Sequence, residues 1–198
     1  MKSIAAILTV LALSLAAPAA FAATQTAIFS GGCFWSMQHD MEHIPGVVST
    51  EVGYTGGHVA HPTYEQVSSE TTGHLESIMI TFDPAKITYA QLVQRYWHLI
   101  DPTDAGGAFC DRGASYQSAI FVASPDQRRI AEASKTALEQ GSLKGRIVTP
   151  IRDAVAFWPA EGYHQHYADK NPFDYGVYRT GCGKDGVVRR IWGPLAFH

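Results

Sequence analysis

Gln25-Thr26-Ala27-Ile28-Phe29-Ser30-Gly31-Gly32-Cys33-Phe34-Trp35-Ser36-Met37 is the stretch on which the fold turns. Gln25 to Ser30 is a short apolar run ended by two glycines, which reads as a strand. Phe34, Met37, Met41 and Ile44 then recur at helical spacing. Cys33 therefore falls at a strand-to-helix turn. Pro45-Gly46 stops the helix, and Val47 to Tyr54 reads as a second strand ended by Gly56-Gly57.

Outward from there, a long loop runs from Gly56 to about His74, the kind of connection that in a compact domain tends to be functional. Leu75 to Phe82 is strand-like, and Tyr89, Leu92, Val93, Tyr96, Trp97 and Ile100 form a second helical stripe. The Gly-rich loop Asp104 to Gly113 leads into a strand from Tyr116 to Ala123. Ser124-Pro125 starts a helix reaching Gln140, and Ile147 to Phe157 reads as one more strand. Strand, helix, strand, strand, helix, strand is the order of an α+β, ferredoxin-like split βαβ two-layer sandwich, here with an extra helix and strand appended. Trp158 to His198 shows no sustained period and is expected to be an irregular C-terminal arm held by its aromatic residues.

At the other end, Lys2, the apolar run Ile4 to Ala17, Pro18 and Ala20-Phe21-Ala22 have the layout of a secretory signal peptide cleaved after Ala22. No repeat or linker divides the rest of the chain, so residues 23–198 are expected to form a single exported domain, with the bacterial periplasm as its compartment. The formal net charge of −3, without a long basic run, argues against nucleic acid as a partner. After the leader no apolar run is long enough to span a membrane. A monomer without membrane attachment is the expected form. Cys33, Cys110 and Cys182 are three cysteines, so one pair can form a disulfide while one thiol stays free or reactive.

A free thiol titrates near pH 8.5, and a helix N-terminus, with its unpaired N–H groups and dipole, favours the thiolate. Cys33 is placed for this help. Phe34 and Trp35, adjacent at the helix start, cannot both face one core, so at least one is free to line an apolar pocket beside the thiol.

Gly31-Gly32-Cys33-Phe34-Trp35 resembles the active-site signature of the A-type peptide methionine sulfoxide reductases. The family's other markers come after it in order: Gly53-Tyr54-Thr55-Gly56-Gly57, Pro62-Thr63-Tyr64, Thr72-Gly73-His74-Leu75-Glu76, Asp101-Pro102-Thr103, Tyr116-Gln117-Ser118-Ala119-Ile120, and His164-Gln165-His166-Tyr167 before Lys170-Asn171-Pro172. The resemblance implies reduction of methionine-S-sulfoxide, free or in proteins, for the repair of oxidised exported proteins. By that resemblance Cys33 is the nucleophile, Glu76 the general acid, Tyr64 and Tyr116 the donors to the oxygen, and Phe34 and Trp35 the receivers of the methyl group. Asp111 matches an acidic residue that holds a water or a tyrosine. Glu76 can donate a proton only from a desolvated site that raises its carboxyl above the usual pH of about 4.3.

Oxygen transfer leaves a Cys33 sulfenic acid, which condenses with a second thiol. Cys182, flanked by Gly181 and Gly183 in the tail, is the expected partner, and Cys110 competes with it. No cofactor and no metal are implied, only an external thioredoxin-like thiol reductant. The sequence departs from the family in having one tail cysteine where many members have two, so a relay through a second tail cysteine is not available. Ser36 replaces a common Gly or Cys, and export separates the protein from cytosolic thioredoxin.

Three rival readings remain at this level. One is a cysteine hydrolase or acyltransferase with His74 or His164 as base. Another is a metal protein built on His39 and His43 or on His164 and His166. The last is a non-catalytic binding domain with one structural disulfide.

Overall fold

The computed structural model describes residues 23–144 and 146–198. The expected signal peptide, residues 1–22, lies outside them. Strand β1 (Gln25–Ser30) passes through Gly31-Gly32 into helix α1 (Phe34–Met41). Gly32 has φ +84°, and a Cβ there would meet the Cβ of Ala108 at 2.7 Å, so the turn needs glycine for both conformation and space. Strand β2 (Val47–Thr55) comes next, then helix α2 (Tyr64–Ser68), strand β3 (Leu75–Phe82) and helix α3 (Tyr89–Trp97). Thr63 and Thr88 begin α2 and α3 with complete capping boxes.

The Gly-rich loop contains a small hairpin, β4 (Gly107–Ala108) with β5 (Asp111–Arg112), and a 3-10 turn at Ala114–Tyr116. Strand β6 (Ala119–Val122), helix α4 (Pro125–Gln140), strand β7 (Ile151–Asp153) and strand β8 (Trp158–Pro159) complete the sheet region. Ser124 caps α4 and Pro125 occupies its first turn, as the sequence predicts.

The main sheet has the order β7-β6-β1-β3-β2-β8. β1 is antiparallel to both β3 and β6, and β2 is antiparallel to β3. The units β1-α1-β2 and β3-α3-β6 are thus interleaved, each leaving the gap that a strand of the other fills. The α+β class is observed, with the sheet extended at both edges by β7 and β8. Phe29, Ile78, Ile80, Phe82 and Ile120 point to the helical layer, where Met37 and Met41 of α1 and Leu92, Val93 and Tyr96 of α3 close over them. Each such side chain contributes ~1.5–3 kcal/mol through burial. Tyr96 stacks on Phe29 at 4.8 Å, and the Trp97 indole donates to Ser134 at 2.9 Å, joining α3 to α4.

The expectation of an irregular arm is corrected. Beyond β8 lie helices α5 (Tyr167–Lys170), α6 (Pro172–Cys182) and α7 (Lys184–Trp192) and a 3-10 turn, Gly193–Leu195. Their shortness hides the period: Pro172 opens α6 and left-handed Gly183 separates it from α7. The aromatic residues are joined by a buried ion cluster in holding the arm. Lys184 Nζ and Arg179 Nη1 reach Asp40 of α1 at 2.8 and 2.9 Å. The expected strand from Ile147 to Phe157 shrinks to β7: Val148 spends its amide on the Pro102 carbonyl, and the ladder with β6 ends where the Ala154 amide meets Val122, the last residue of β6. Among the described residues no helix is long and apolar enough to cross a membrane.

Candidate active site

Cys33 is the N-cap of α1, where the Ser36 amide bonds its carbonyl at 3.1 Å. Its side chain is 8 % exposed and it is the free cysteine. Burial, then the nearby Glu76 carboxyl, push the thiol well above its usual value, while the neighbouring Tyr178 hydroxyl pulls it back down.

Glu76 alternates with Ile78, Ile80 and Phe82 along β3, so the strand period carries it into the helix-covered face. It is 3 % exposed, and its Oε2 accepts the Phe34 amide at 3.0 Å. Burial raises the Glu76 carboxyl to about 8 against the opposing pull of that amide. At neutral pH the group holds a proton to give away, as a general acid must.

Tyr64 opens α2, its amide bonded to Glu161 at 2.9 Å. Tyr116 ends the 3-10 turn, which the Glu70 carboxylate holds through the Ser115 amide and hydroxyl at 2.8 and 2.7 Å. Tyr116 lies beside Tyr64 and in the field of Glu76. Burial pushes Tyr116 far up, so it remains a donor. Phe34 is buried against Tyr54, Val52 and Val67, whereas Trp35 is half-buried and stacks on Tyr167 with centroids 3.8 Å apart. Both aromatics belong to one small hydrophobic cluster, Phe34 inside it and Trp35 packed against its edge, where Trp35 also meets the arm.

Cys110 and Cys182 are joined by a disulfide, with Cα atoms 4.9 Å apart. In this state Cys182 is thus bonded to Cys110, the competing cysteine, and Cys33 is left free. The β4–β5 hairpin brings Cys110 to the end of α6, so the tail cysteine pairs with a cysteine of this loop. Asp111, beside Cys110, accepts from the Tyr178 hydroxyl at 2.6 Å, and Cys182 Sγ lies 4.0 Å from the same carboxylate. So the structure brings Cys33, Glu76, Tyr64, Tyr116, Asp111, Phe34, Trp35 and Cys182 to one end of the sheet, together with Cys110.

Sequence reasoning missed Tyr178, which lies beyond the His164-to-Pro172 markers, and Glu161, which joins the Tyr54 hydroxyl to the Tyr64 amide. It considered His164 as a base or a metal ligand, not as a partner of Trp35. The buried His164 ring accepts from the Trp35 indole at 3.0 Å, and burial holds it neutral. His74 has both ring nitrogens on backbone groups, Gly57 N at 3.1 Å and Val59 O at 2.7 Å. Neither histidine is engaged with Cys33, which removes the hydrolase arrangement. His43 and His166 flank Glu42 at 3.8 and 2.7 Å while His164 lies under Trp35, so the histidine pairs do not converge on Cys33.

A sequence model of the family "Peptide methionine sulfoxide reductase" matches residues 25–195. The chain is 52% identical over 188 residues to peptide methionine sulfoxide reductase MsrA 2 of Caulobacter vibrioides, covering 95% of this chain and 93% of the relative. Among solved structures it is similar to methionine sulfoxide reductase A of Corynebacterium diphtheriae, with TM-score 0.67, 34% identity, and coverage of 75% of this chain and 76% of that one. It is also similar to reduced Mxr1 of Saccharomyces cerevisiae, with TM-score 0.70, 27% identity, and coverage of 76% and 87%. Mxr1 has in addition been solved in complex with Trx2.

Proposed function

Since the chain belongs to the peptide methionine sulfoxide reductase family and is an oxidoreductase acting on methionine sulfoxide, we propose that it reduces the S epimer with Cys33 as nucleophile and Glu76 as acid. The observation that carries this reading is Cys33 left free at the start of α1, with a protonated Glu76 fixed to the same helix start.

The sulfoxide sulfur meets Cys33 while its methyl lies against Phe34 and Trp35. Tyr64 and Tyr116 hold the oxygen and Glu76 protonates it, because an unprotonated oxide leaves poorly. Transfer of the oxygen to Cys33 releases methionine and leaves a sulfenic acid. Cys182 then attacks the Cys33 sulfur, water departs, and a Cys33–Cys182 disulfide forms. The Cys110 thiolate attacks Cys182, expels Cys33 as thiolate and leaves the Cys110–Cys182 bond. Exposed Cys110 then faces the reductant, a thioredoxin-like dithiol of the kind suggested by the Mxr1–Trx2 complex. Asp111 accepts a hydrogen bond from Tyr178 beside this bond, in keeping with its expected part in holding a tyrosine.

The leader-like sequence at residues 1–22 supports export, with the periplasm as compartment and oxidised exported proteins as substrates. The test is turnover of resolved epimers by the dithiothreitol-reduced enzyme: the S form should be consumed and the R form left. Equal rates on both would overturn the assignment of the methyl pocket and the oxygen donors.

A further inference from the structure

Cys33 must lose a proton before it can attack, and its surroundings offer few places for that proton. The thiol is buried and faces Glu76 from β3, Asp111 from β5, Lys184 from α7 and Tyr178 from α6. Glu76 keeps its own proton for the sulfoxide oxygen and so cannot serve. Lys184 is a cation pinned to Asp40 at 2.8 Å. Asp111 is the remaining base, and what lies between it and the sulfur is the Tyr178 hydroxyl.

Tyr178 is fixed on three sides. Its hydroxyl is 2.6 Å from Asp111 Oδ2, it stands beside the Cys33 thiol, and its ring meets Trp35 edge-on at 6.1 Å. It stands one helical turn before Cys182, so the disulfide and the buried salt bridge of the neighbouring Arg179 with Asp40 both anchor its helix.

We propose that Tyr178 is a further catalytic residue of this reductase, carrying the Cys33 proton to Asp111 and so forming the attacking thiolate inside the closed site. The proposal rests on Cys33 being the nucleophile. The Cys33 S–H bond breaks as its proton bonds to the Tyr178 oxygen. The Tyr178 O–H proton passes in the same motion to Asp111 Oδ2. One negative charge moves from carboxylate to sulfur, nothing is oxidised, and Tyr178 ends as it began, a phenol now donating to the thiolate. Burial pushes the Tyr178 hydroxyl far up, so a free phenolate is not an intermediate and the two transfers are concerted. Burial also lifts the Asp111 carboxyl, which makes it a better proton acceptor than an exposed aspartate. Lys184 faces both ends of the chain and favours the charge wherever it sits.

An internal transfer leaves a signature in pH. The proton stays within the site, so thiolate formation does not follow bulk pH once Asp111 is ionised. Without the chain, Cys33 must release its proton to solvent, and the rate rises about tenfold per pH unit. Two measurements read this. One is single-turnover reduction of saturating methionine-S-sulfoxide by the reduced enzyme. The other is alkylation by iodoacetamide of the enzyme with its Cys110–Cys182 disulfide intact, in which Cys33 is the one thiol present.

Wild type should give a flat profile between about pH 5 and 7 in both. Tyr178→Phe and Asp111→Asn should each fall by roughly 10²-fold at the acid end and rise with unit slope. The slope reports the proton, and the height of the profile reports access to Cys33. Variant profiles flat and parallel to wild type would overturn the proposal. So would a slope in Tyr178→Phe with none in Asp111→Asn, since Asp111 would then not be the acceptor. Cys33→Ser distinguishes failure of the underlying reading: if it still reduces sulfoxide the nucleophile is wrong, and if it is dead while the variant profiles stay parallel only the role of Tyr178 falls.

Discussion

Glu76 Oε2 accepts a 3.0 Å hydrogen bond from the Phe34 amide, so the acid is tethered to the first turn of the helix that carries Cys33. A shift of α1 moves Cys33, Phe34, Trp35 and Glu76 together. This rigidity matters because a misplacement of about 1 Å can cost about 10²-fold in rate.

Glu76→Gln should lower the single-turnover rate by roughly 10²–10⁴-fold, the usual contribution of a general acid. Glutamine keeps the acceptor for the Phe34 amide, so substrate binding should change little. A variant that reduces sulfoxide at the wild-type rate removes Glu76 from the mechanism.

The same carboxyl sets a pH limit. Burial favours its neutral form, so below about 8 it holds the proton that the oxygen needs, and above that value it does not. Single-turnover reduction by the wild type should therefore decline as pH rises through about 8. The Glu76→Gln profile should lack that decline. A decline of the same shape in both would point to another group.

Removing either recycling thiol should separate reduction from turnover. Cys110→Ser and Cys182→Ser should each release one equivalent of methionine and then stall with a thioredoxin-like reductant. Peptide mapping should find Cys33 joined to Cys182 in the first, whereas a sulfenic acid reagent should label Cys33 in the second. Steady turnover of Cys110→Ser at the wild-type rate would show that the Cys110–Cys182 bond is not part of the cycle.

Asp40 is the anion shared by Lys184 and Arg179, and Lys184 is 2 % exposed. Asp40→Asn leaves a buried ammonium without its counter-charge and should cost about 3–5 kcal/mol in urea unfolding. A loss below about 1 kcal/mol, the range of an exposed ion pair, would mean that the cluster does not hold the arm to α1.

The local pattern of residues 25–44 was enough to place a strand, a two-glycine turn, a helix and Cys33 at its start, because strand and helix periods and glycine turns are local properties of the chain. The element order through Gln140 carried the α+β class for the same reason. The ordered markers from Gly31 to Pro172 carried the reductase family. Even the odd cysteine count held the right arithmetic, one free thiol and one pair. Which pair forms is set by where the β4–β5 hairpin meets the end of α6, a contact between residues 72 apart that no local pattern encodes. The helices of the arm were hidden by their shortness and by Gly183, and their packing depends on Asp40, far away in α1. Glu76 falls between: its alternation with Ile78, Ile80 and Phe82 is in the sequence, but a carboxyl becomes an acid near pH 8 only when α1 covers that face and water is gone. Tyr178 is the clearest case of what tertiary structure alone decides, since only the fold of the arm over α1 sets a tyrosine hydroxyl between Asp111 and Cys33.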